Sequence, residues 1–426
     1  MDNLIKSRRY TDINIESGYT NHHKGFFVKE ARLNQGYTLE EVSKNICTAS
    51  YLSKIESGVA TPNKEMIEKL KTRLIIKFPK HGNNNRWVDM IRTAIYHDDL
   101  AFLKKYQSLD CTCIYQKTLV NFFIAVLDGD YRLADSCKKF VDKLESHFLP
   151  NELQFYYLFL SIHYWNNGQA KLGFGYARLA FDISRRLGID DPYLFFNIAK
   201  YYFQIENLHL GFSYLEKALV MFKDFYATKW IVRCELLLCK EKLKVGDFLD
   251  VEERLDILEN MFKCSDDFGS HSDLSNVKGM FLEYSGDYDG ANRYYLQSLE
   301  QSKDAENECS VIGVVRIYFH QGKFSELRSF VEGIDAKGFR GGAMQELEYY
   351  YFKSEEELGS DFIAFLRKDA IPQAIDDWDL YRLEKYAQEM MDHYERNNKY
   401  KAAVESYRLW VAARDNIKFD AIMKLN

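Results

Sequence analysis

Gly36-Tyr-Thr-Leu-Glu-Glu-Val-Ser-Lys-Asn-Ile-Cys-Thr-Ala-Ser-Tyr-Leu-Ser-Lys-Ile-Glu-Ser-Gly-Val-Ala-Thr-Pro62 encodes two short helices across a tight turn. Thr38 and Glu41 have the spacing of a capping box, in which each side chain closes a backbone amide of the other. The helix they open, Thr38 to Ile46, gathers Leu39, Val42 and Ile46 on one face. After a break at Cys47 and Thr48, Leu52 and Ile55 recur at i and i+3. Ala49, Ser50, Tyr51, Ser53 and Lys54 are left on the other faces, small and hydroxyl-rich enough to enter a major groove. Gly58 suits a left-handed C-terminal cap, and Thr61 before Pro62 predicts the start of another helix. Upstream, Phe26 to Gln35 supplies a packing helix with Phe27 and Leu33 as expected core residues.

Over residues 25 to 75, this segment resembles the XRE-type helix-turn-helix, in the variant found in PlcR and Rgg regulators. Ser43-Lys44-Asn45-Ile46-Cys47 and the run Tyr51 to Gly58 carry the resemblance. It implies double-stranded operator DNA as partner, contacted by Thr38, Thr48, Ala49, Ser50, Tyr51, Ser53 and Lys54, with Ala49, Ser50 and Tyr51 near base edges and Ser53 and Lys54 near the backbone. It also implies a structural pair between Arg32 of the first helix and Glu56 of the recognition helix.

The remainder is organised by repetition. An aromatic or apolar residue follows a turn cluster, and a small or apolar one stands three further on: Tyr131 with Ala134, Ala170 with Gly173, Leu208 with Gly211, Phe248 with Val251, Tyr288 with Ala291, Phe324 with Leu327, Phe362 with Phe365, and Tyr400 with Ala403. Successive spacings are 39, 38, 40, 40, 36, 38 and 38 residues. Gly129-Asp130, Gly246-Asp247, Gly286-Asp287, Gly322-Lys323 and Asn398-Lys399 mark the sharp turns. Eight helical hairpins follow, with a ninth candidate at Trp87 to Tyr106. Only five prolines in 426 residues and almost no period-two alternation exclude a sheet fold. The expected fold is all-α, a helix-turn-helix followed by a right-handed superhelix of hairpins. From about residue 85 to 420 the pattern resembles tetratricopeptide repeats, with Tyr284-Ser-Gly-Asp-Tyr-Asp-Gly-Ala291 the best match.

The domains read as a 1–24 extension, a 25–80 DNA-binding head and an 85–426 repeat domain for peptide binding and dimerisation. In the extension, Arg8-Arg9 is either an arm on DNA phosphate or part of a disordered tail, and disorder is the expectation. Residues 1–80 hold 14 Lys and Arg against 9 Asp and Glu, and the rest holds 43 against 54. A basic head on an acidic body suits phosphate contacts at one end. No apolar run is long enough to span a bilayer. The eight cysteines are scattered; they read as reduced core thiols, and Cys111-x-Cys113 lacks the second pair of a zinc site. No phosphate loop, His-Glu-x-x-His or nucleophile elbow is present, so no enzyme, cofactor or metal is expected. His22-His23 reads as solvated tail.

A reader of this type joined to such repeats resembles the RRNPP group of peptide-responsive regulators, which includes PlcR, Rgg and NprR. The resemblance implies a cytosolic homodimer that holds a short signalling peptide in the concave groove of the repeats. On the repeat register, the inward first-helix positions are Asn197, Lys200, Lys240, Asn276, Arg316, Gln388 and Asp392. Amides can bind a peptide backbone, and Lys or Arg its terminal carboxylate. Two alternatives stay open: a phage or mobile-element repressor whose repeats bind a protein or only dimerise, and a bifunctional receptor that also controls a response regulator.

Overall fold

The computed structural model describes residues 21–76, 86–107, 114–143, 148–264, 271–302, 308–334, 342–355 and 359–423, with the single positions 145 and 339. Arg8, Arg9, Cys111 and Cys113 lie outside them. No strand occurs among the described residues. The chain divides into two compact units, Met1–Phe159 with Leu179–Asp190, and Leu160–Arg178 with Asp191–Asn426.

The first unit begins with four helices, α1 Asn21–Asn34, α2 Leu39–Ser43, α3 Ala49–Glu56 and α4 Lys64–Leu74. Their core is Val28, Val42, Leu52, Leu70 and Leu74, packed with Ala31, Leu39, Ile46, Cys47, Met66 and Ile76. The capping box forms: Thr38 accepts from the Glu41 amide while the Thr38 amide donates to Glu41 Oε2 at 2.7 Å. The sequence reading needs correction at four points. Helix α1 starts at Asn21, before Phe26, and takes in His22 and His23. Phe27 is buried, but Leu33 is 51% exposed, because Val28, Ala31 and Arg32 define the inner face and Leu33 turns about 100° past it. Helix α2 stops at Ser43, and Asn45 takes a left-handed φ of 63°. Helix α4 is capped by Asn63, whose Oδ1 accepts from the Met66 amide at 2.8 Å, and not by Thr61.

The unit continues with the pairs Arg86–Tyr96 with Leu100–Gln107 and Ile114–Leu127 with Tyr131–Val141, then the start of Pro150–Asn166. The first of these is the ninth hairpin. Phe122 and Phe123 of Ile114–Leu127 and Phe155, Tyr156 and Phe159 of Pro150–Asn166 are buried within the unit, with Phe123 and Phe155 edge to face at 5.1 Å.

In the second unit, first helices Pro192–Gln204, Thr228–Lys244, His271–Tyr284, Glu308–His320, Ala343–Lys353 and Leu380–Arg396 alternate with second helices. Across both units, second helices start at Tyr131, Ala170, Leu208, Tyr288, Phe324 and Tyr400, the positions the period marks. The residue three further on is buried in each, since it faces the first helix at closest approach: Ala134, Gly173, Gly211, Ala291, Leu327 and Ala403. The five turn residues Gly129, Gly246, Gly286, Gly322 and Asn398 all have positive φ, which reverses the chain within one residue.

Two hairpins depart from the period. One second helix begins at Val251 instead of Phe248, because Asp250 takes a φ of 62° and adds a turn that leaves Phe248 and Leu249 exposed. The other runs as Ser360–Phe365, a π turn at Leu366–Ala370 and Ile371–Asp376. Pro372 lacks the amide that would bond back one turn, so the ladder slips there.

Interlocking is tight in the middle of the unit. The Tyr295 ring is fully buried between Gly279 and Gly313, where a Cβ would come within 2.8 and 2.7 Å of it. Phe174 meets Trp378 with ring centroids 5.6 Å apart, so an early hairpin and a late one of the same unit are in contact.

Candidate functional site

The recognition helix α3 is positioned by its N-cap and by α1. Thr48 Oγ1 accepts from the Tyr51 amide at 3.1 Å, which leaves the Thr48 hydroxyl hydrogen to donate outward. Leu52 and Ile55 anchor the inner face. Gly25 lets α1 approach α3 so closely that a Cβ there would lie 1.8 Å from the Ile55 carbonyl oxygen. Arg32 Nε and Nη2 grip Glu56 Oε1 and Oε2 at 2.7 and 2.9 Å, and Nη1 donates to the Tyr37 carbonyl at 2.9 Å. The buried pair thus ties α1, the turn and α3 together.

On the outer side, Thr38, Thr48, Ser50, Ser53 and Lys54 are exposed, and Ala49 and Tyr51 are half-buried. The Thr38 hydroxyl is engaged in its capping box, and Tyr51 donates its hydroxyl to the Thr61 carbonyl at 3.3 Å, which fixes that ring against the next loop. Lys54 has no ion-pair partner among the described residues. Neither have Lys44 and Lys64, both exposed, which the sequence reading passed over although each stands beside a helix terminus. Lys69 and Lys71 are paired with Glu65 and Glu68. Arg73 donates to the carbonyls of Val42 and Lys44 and so holds the end of α2.

The second unit places the seven groove candidates in different states. Asn197 is buried and donates Nδ2 to the Tyr193 carbonyl of its own helix at 2.7 Å. Asn276 donates to Ser310 Oγ at 2.8 Å, and Ser310 continues to Ser298 at 2.7 Å, a buried polar chain linking adjacent hairpins. Arg316 is held in two places by Glu283, with Nη2 2.6 Å from Oε2, and lies 3.3 Å from the Tyr295 hydroxyl. Gln388 donates to Asp392 at 2.7 Å, one helical turn on.

Lys200 and Lys240 differ from these. The Lys200 ammonium lies 5.2 Å from the centre of the Trp165 ring and makes no ion pair among the described residues. Burial, reinforced by the charge of Lys240, pulls its pKa down to about 8. Lys240 is in electrostatic range of Arg316, and its ammonium is 4.0 Å from the exposed Cys309 thiol, again without an ion pair. Lys200, Lys240 and Arg316 thus stand on three of four successive first helices, with the charge of Lys240 felt by Lys200 and that of Arg316 by Lys240.

Residues missed by the sequence reading complete this face. Tyr284 and Tyr381 are 46% and 67% exposed, and each lies close enough to Arg316 to feel its charge. Lys385 sits over the Tyr349 and Tyr350 rings at 4.2 and 4.3 Å and reaches Glu346 at 3.4 Å. It stands at the sixth position of its helix, as Asn197 and Asn276 do in theirs.

Cys137, Cys234 and Cys239 are buried, and burial pushes the Cys239 thiol up to about 12. Cys309 is exposed, which corrects the reading of all cysteines as core. Among the described residues, no His, Cys, Asp and Glu cluster could hold a metal, and no helix is long and apolar enough to cross a membrane.

Residues 28–75 match the HTH_3 helix-turn-helix family. A comparison with curated proteins finds no match. Among solved structures, NprR in complex with its cognate peptide NprX superposes with a TM-score of 0.64 at 18% identity, over 79% of this chain and 100% of that one. The apo form of the quorum sensor NprR from B. thuringiensis gives 0.50 at 20% identity, over 77% and 99%. A Rap protein complexed with competence and sporulation factor gives 0.59 at 15% identity, over 79% and 98%. The chain thus carries an amino-terminal helix-turn-helix of the HTH_3 family and shares the all-helical repeat fold of NprR and the Rap proteins.

Proposed function

We propose that the protein is a cytosolic, homodimeric transcription regulator that binds operator DNA through α2 and α3 and takes a short signalling peptide on the first-helix face of its repeats. In this reading, residues 25–80 are the DNA-binding head and residues 85–426 the peptide-binding and dimerising body. Ala49, Ser50 and Tyr51 face base edges, while Ser53 and Lys54 lie along the backbone. The observation that carries the reading is the joining of a helix-turn-helix to a body with the fold of NprR, a protein solved with its peptide. The half-exposed first-helix face around Lys200, Lys240, Tyr284 and Tyr381 supports it, because an extended peptide needs charged and aromatic groups on several successive hairpins.

The test is fluorescence anisotropy of labelled duplexes from the region upstream of the protein's own gene. Full-length protein is titrated with and without short peptides encoded by small neighbouring reading frames. A peptide-dependent shift in DNA affinity supports the receptor reading. Tight DNA binding that no peptide alters favours a repressor whose repeats bind a protein.

A further inference from the structure

We infer that Trp378 is a clasp: seated on Phe174, its indole ring holds an early and a late hairpin of the second unit together, and release of that seat opens the first-helix face between them to a ligand. Such a clasp acts on any ligand of that face, peptide or not.

Trp378 stands in the turn between Ile371–Asp376 and Leu380–Arg396, with a left-handed φ of 55°. Glycine takes this conformation in the turns at Gly129, Gly168, Gly286 and Gly322, and a bulky side chain adopts it only against steric resistance. Tyr226 occupies the corresponding turn between Leu208–Asp224 and Thr228–Lys244 with a φ of 53°, and it is 84% exposed. Trp378 is 4% exposed. Two turns of the same kind thus carry an aromatic residue in the same backbone state, and only one of the rings is covered.

The Phe174 ring meets the indole with centroids 5.6 Å apart and planes tilted by 52°. Phe174 is itself buried, with Tyr201 and Tyr202 edge to face against it at 5.4 and 6.3 Å. The seat is therefore an aromatic cluster built by the helices Ala170–Leu187 and Pro192–Gln204. Glu206, in the turn that follows, lies in range of the charges of Lys418, Glu384, Asp379 and Arg414, so the same early and late parts of the unit face each other beyond the ring contact.

Hairpins that touched only their neighbours would never bring these residues together. Each hairpin interface permits a small rotation, and these rotations add along a solenoid. A contact between non-neighbours fixes their sum, so one ring-on-ring seat controls how far the first-helix face opens. An aromatic pair of this kind is weak enough to release and re-form in solution.

The test uses full-length protein with donor and acceptor dyes on p-acetylphenylalanine at Glu216 and Glu405, both exposed, on the helices Leu208–Asp224 and Tyr400–Met423. Single-molecule energy transfer reads the separation of the early and late hairpins. Trp378→Gly removes the clasp and gives the turn the residue its φ favours, and Phe174→Leu removes the seat without touching the turn. In both, the ratio of closed to open molecules should fall by about fivefold. Cys309, exposed beside Lys240, reports access to the face. Its alkylation by a polymer-linked maleimide, relative to N-ethylmaleimide and read by mass mapping of its peptide, should quicken by a similar factor. Energy-transfer distributions identical in the parent and both variants overturn the clasp. A longer separation without easier access at Cys309 overturns its control of the face. Neither outcome bears on whether the ligand is a peptide, which the DNA-binding titrations decide.

Discussion

Arg32 and Glu56 meet in a two-point contact, 2.7 and 2.9 Å, with both side chains buried at the seam between the first helix and the recognition helix. The fork of the guanidinium matches the carboxylate, and its third nitrogen closes the Tyr37 carbonyl. The orientation of α3 therefore depends on a pair largely withdrawn from solvent.

Arg32→Ala leaves Glu56 buried without a countercharge, and the head should lose about 3–5 kcal/mol. Hydrogen exchange at the amides of residues 49–56 in the full chain reads this as faster opening of α3. Replacing both residues with Met should recover most of the loss. Unchanged protection in Arg32→Ala would show that the pair contributes nothing to the seam.

Gly25→Ala tests the helix approach by a different route. Its Cβ would fall 1.8 Å from a backbone oxygen that cannot swing aside, so α1 must back away from α3. Operator affinity should drop by at least about tenfold, and exchange protection of Leu52 and Ile55 should drop with it. Wild-type values for both would mean that the two helices have more room than this geometry allows.

Lys54, exposed and without an ion pair among the described residues, is the first candidate for a phosphate contact on α3. Lys54→Ala should weaken binding to specific and unrelated duplexes alike and lower the slope of log K against log salt by about 0.9. Lys44→Ala and Lys64→Ala extend the measurement to the two lysines that flank the motif. A slope unaltered in Lys54→Ala takes that residue off the backbone.

Lys200 supplies a prediction about pH. Its pKa in the folded protein, about 8, is below the ordinary lysine value of 10.5, because burial and Lys240 oppose its charge. Below pH 8 the folded state must carry a charge that it disfavours. Between about pH 8 and 10.5 the unfolded chain binds more protons than the folded one, so the stability of the parent rises with pH relative to a variant without the group. Lys200→Met should accordingly be more stable than the parent by roughly 1–3 kcal/mol at pH 7, with the gain shrinking toward pH 10.5. Urea unfolding at pH 7, 8.5 and 10 measures it. A variant less stable than the parent at pH 7 would mean that the contact with Trp165 outweighs the desolvation.

The sequence alone determined the local elements, because their causes are local. A capping box at Thr38 and Glu41, a left-handed glycine at Gly58 and a period near 38 residues each require only residues within a turn or two of one another. Where a local rule had competition, the sequence misled: Asn63 displaced Thr61 as a cap, Leu33 pointed outward, and Pro372 turned an expected helix into a π turn. The state of the repeat face was decided by tertiary structure. Arg316, Lys200 and Lys240 are all cations as letters, yet Glu283 neutralises the first, Lys200 lies over the Trp165 ring and the Lys240 ammonium reaches the Cys309 thiol. Such charge pairing joins residues from different hairpins, tens of positions apart, and a one-dimensional register fixes which face a side chain occupies without fixing what stands opposite it.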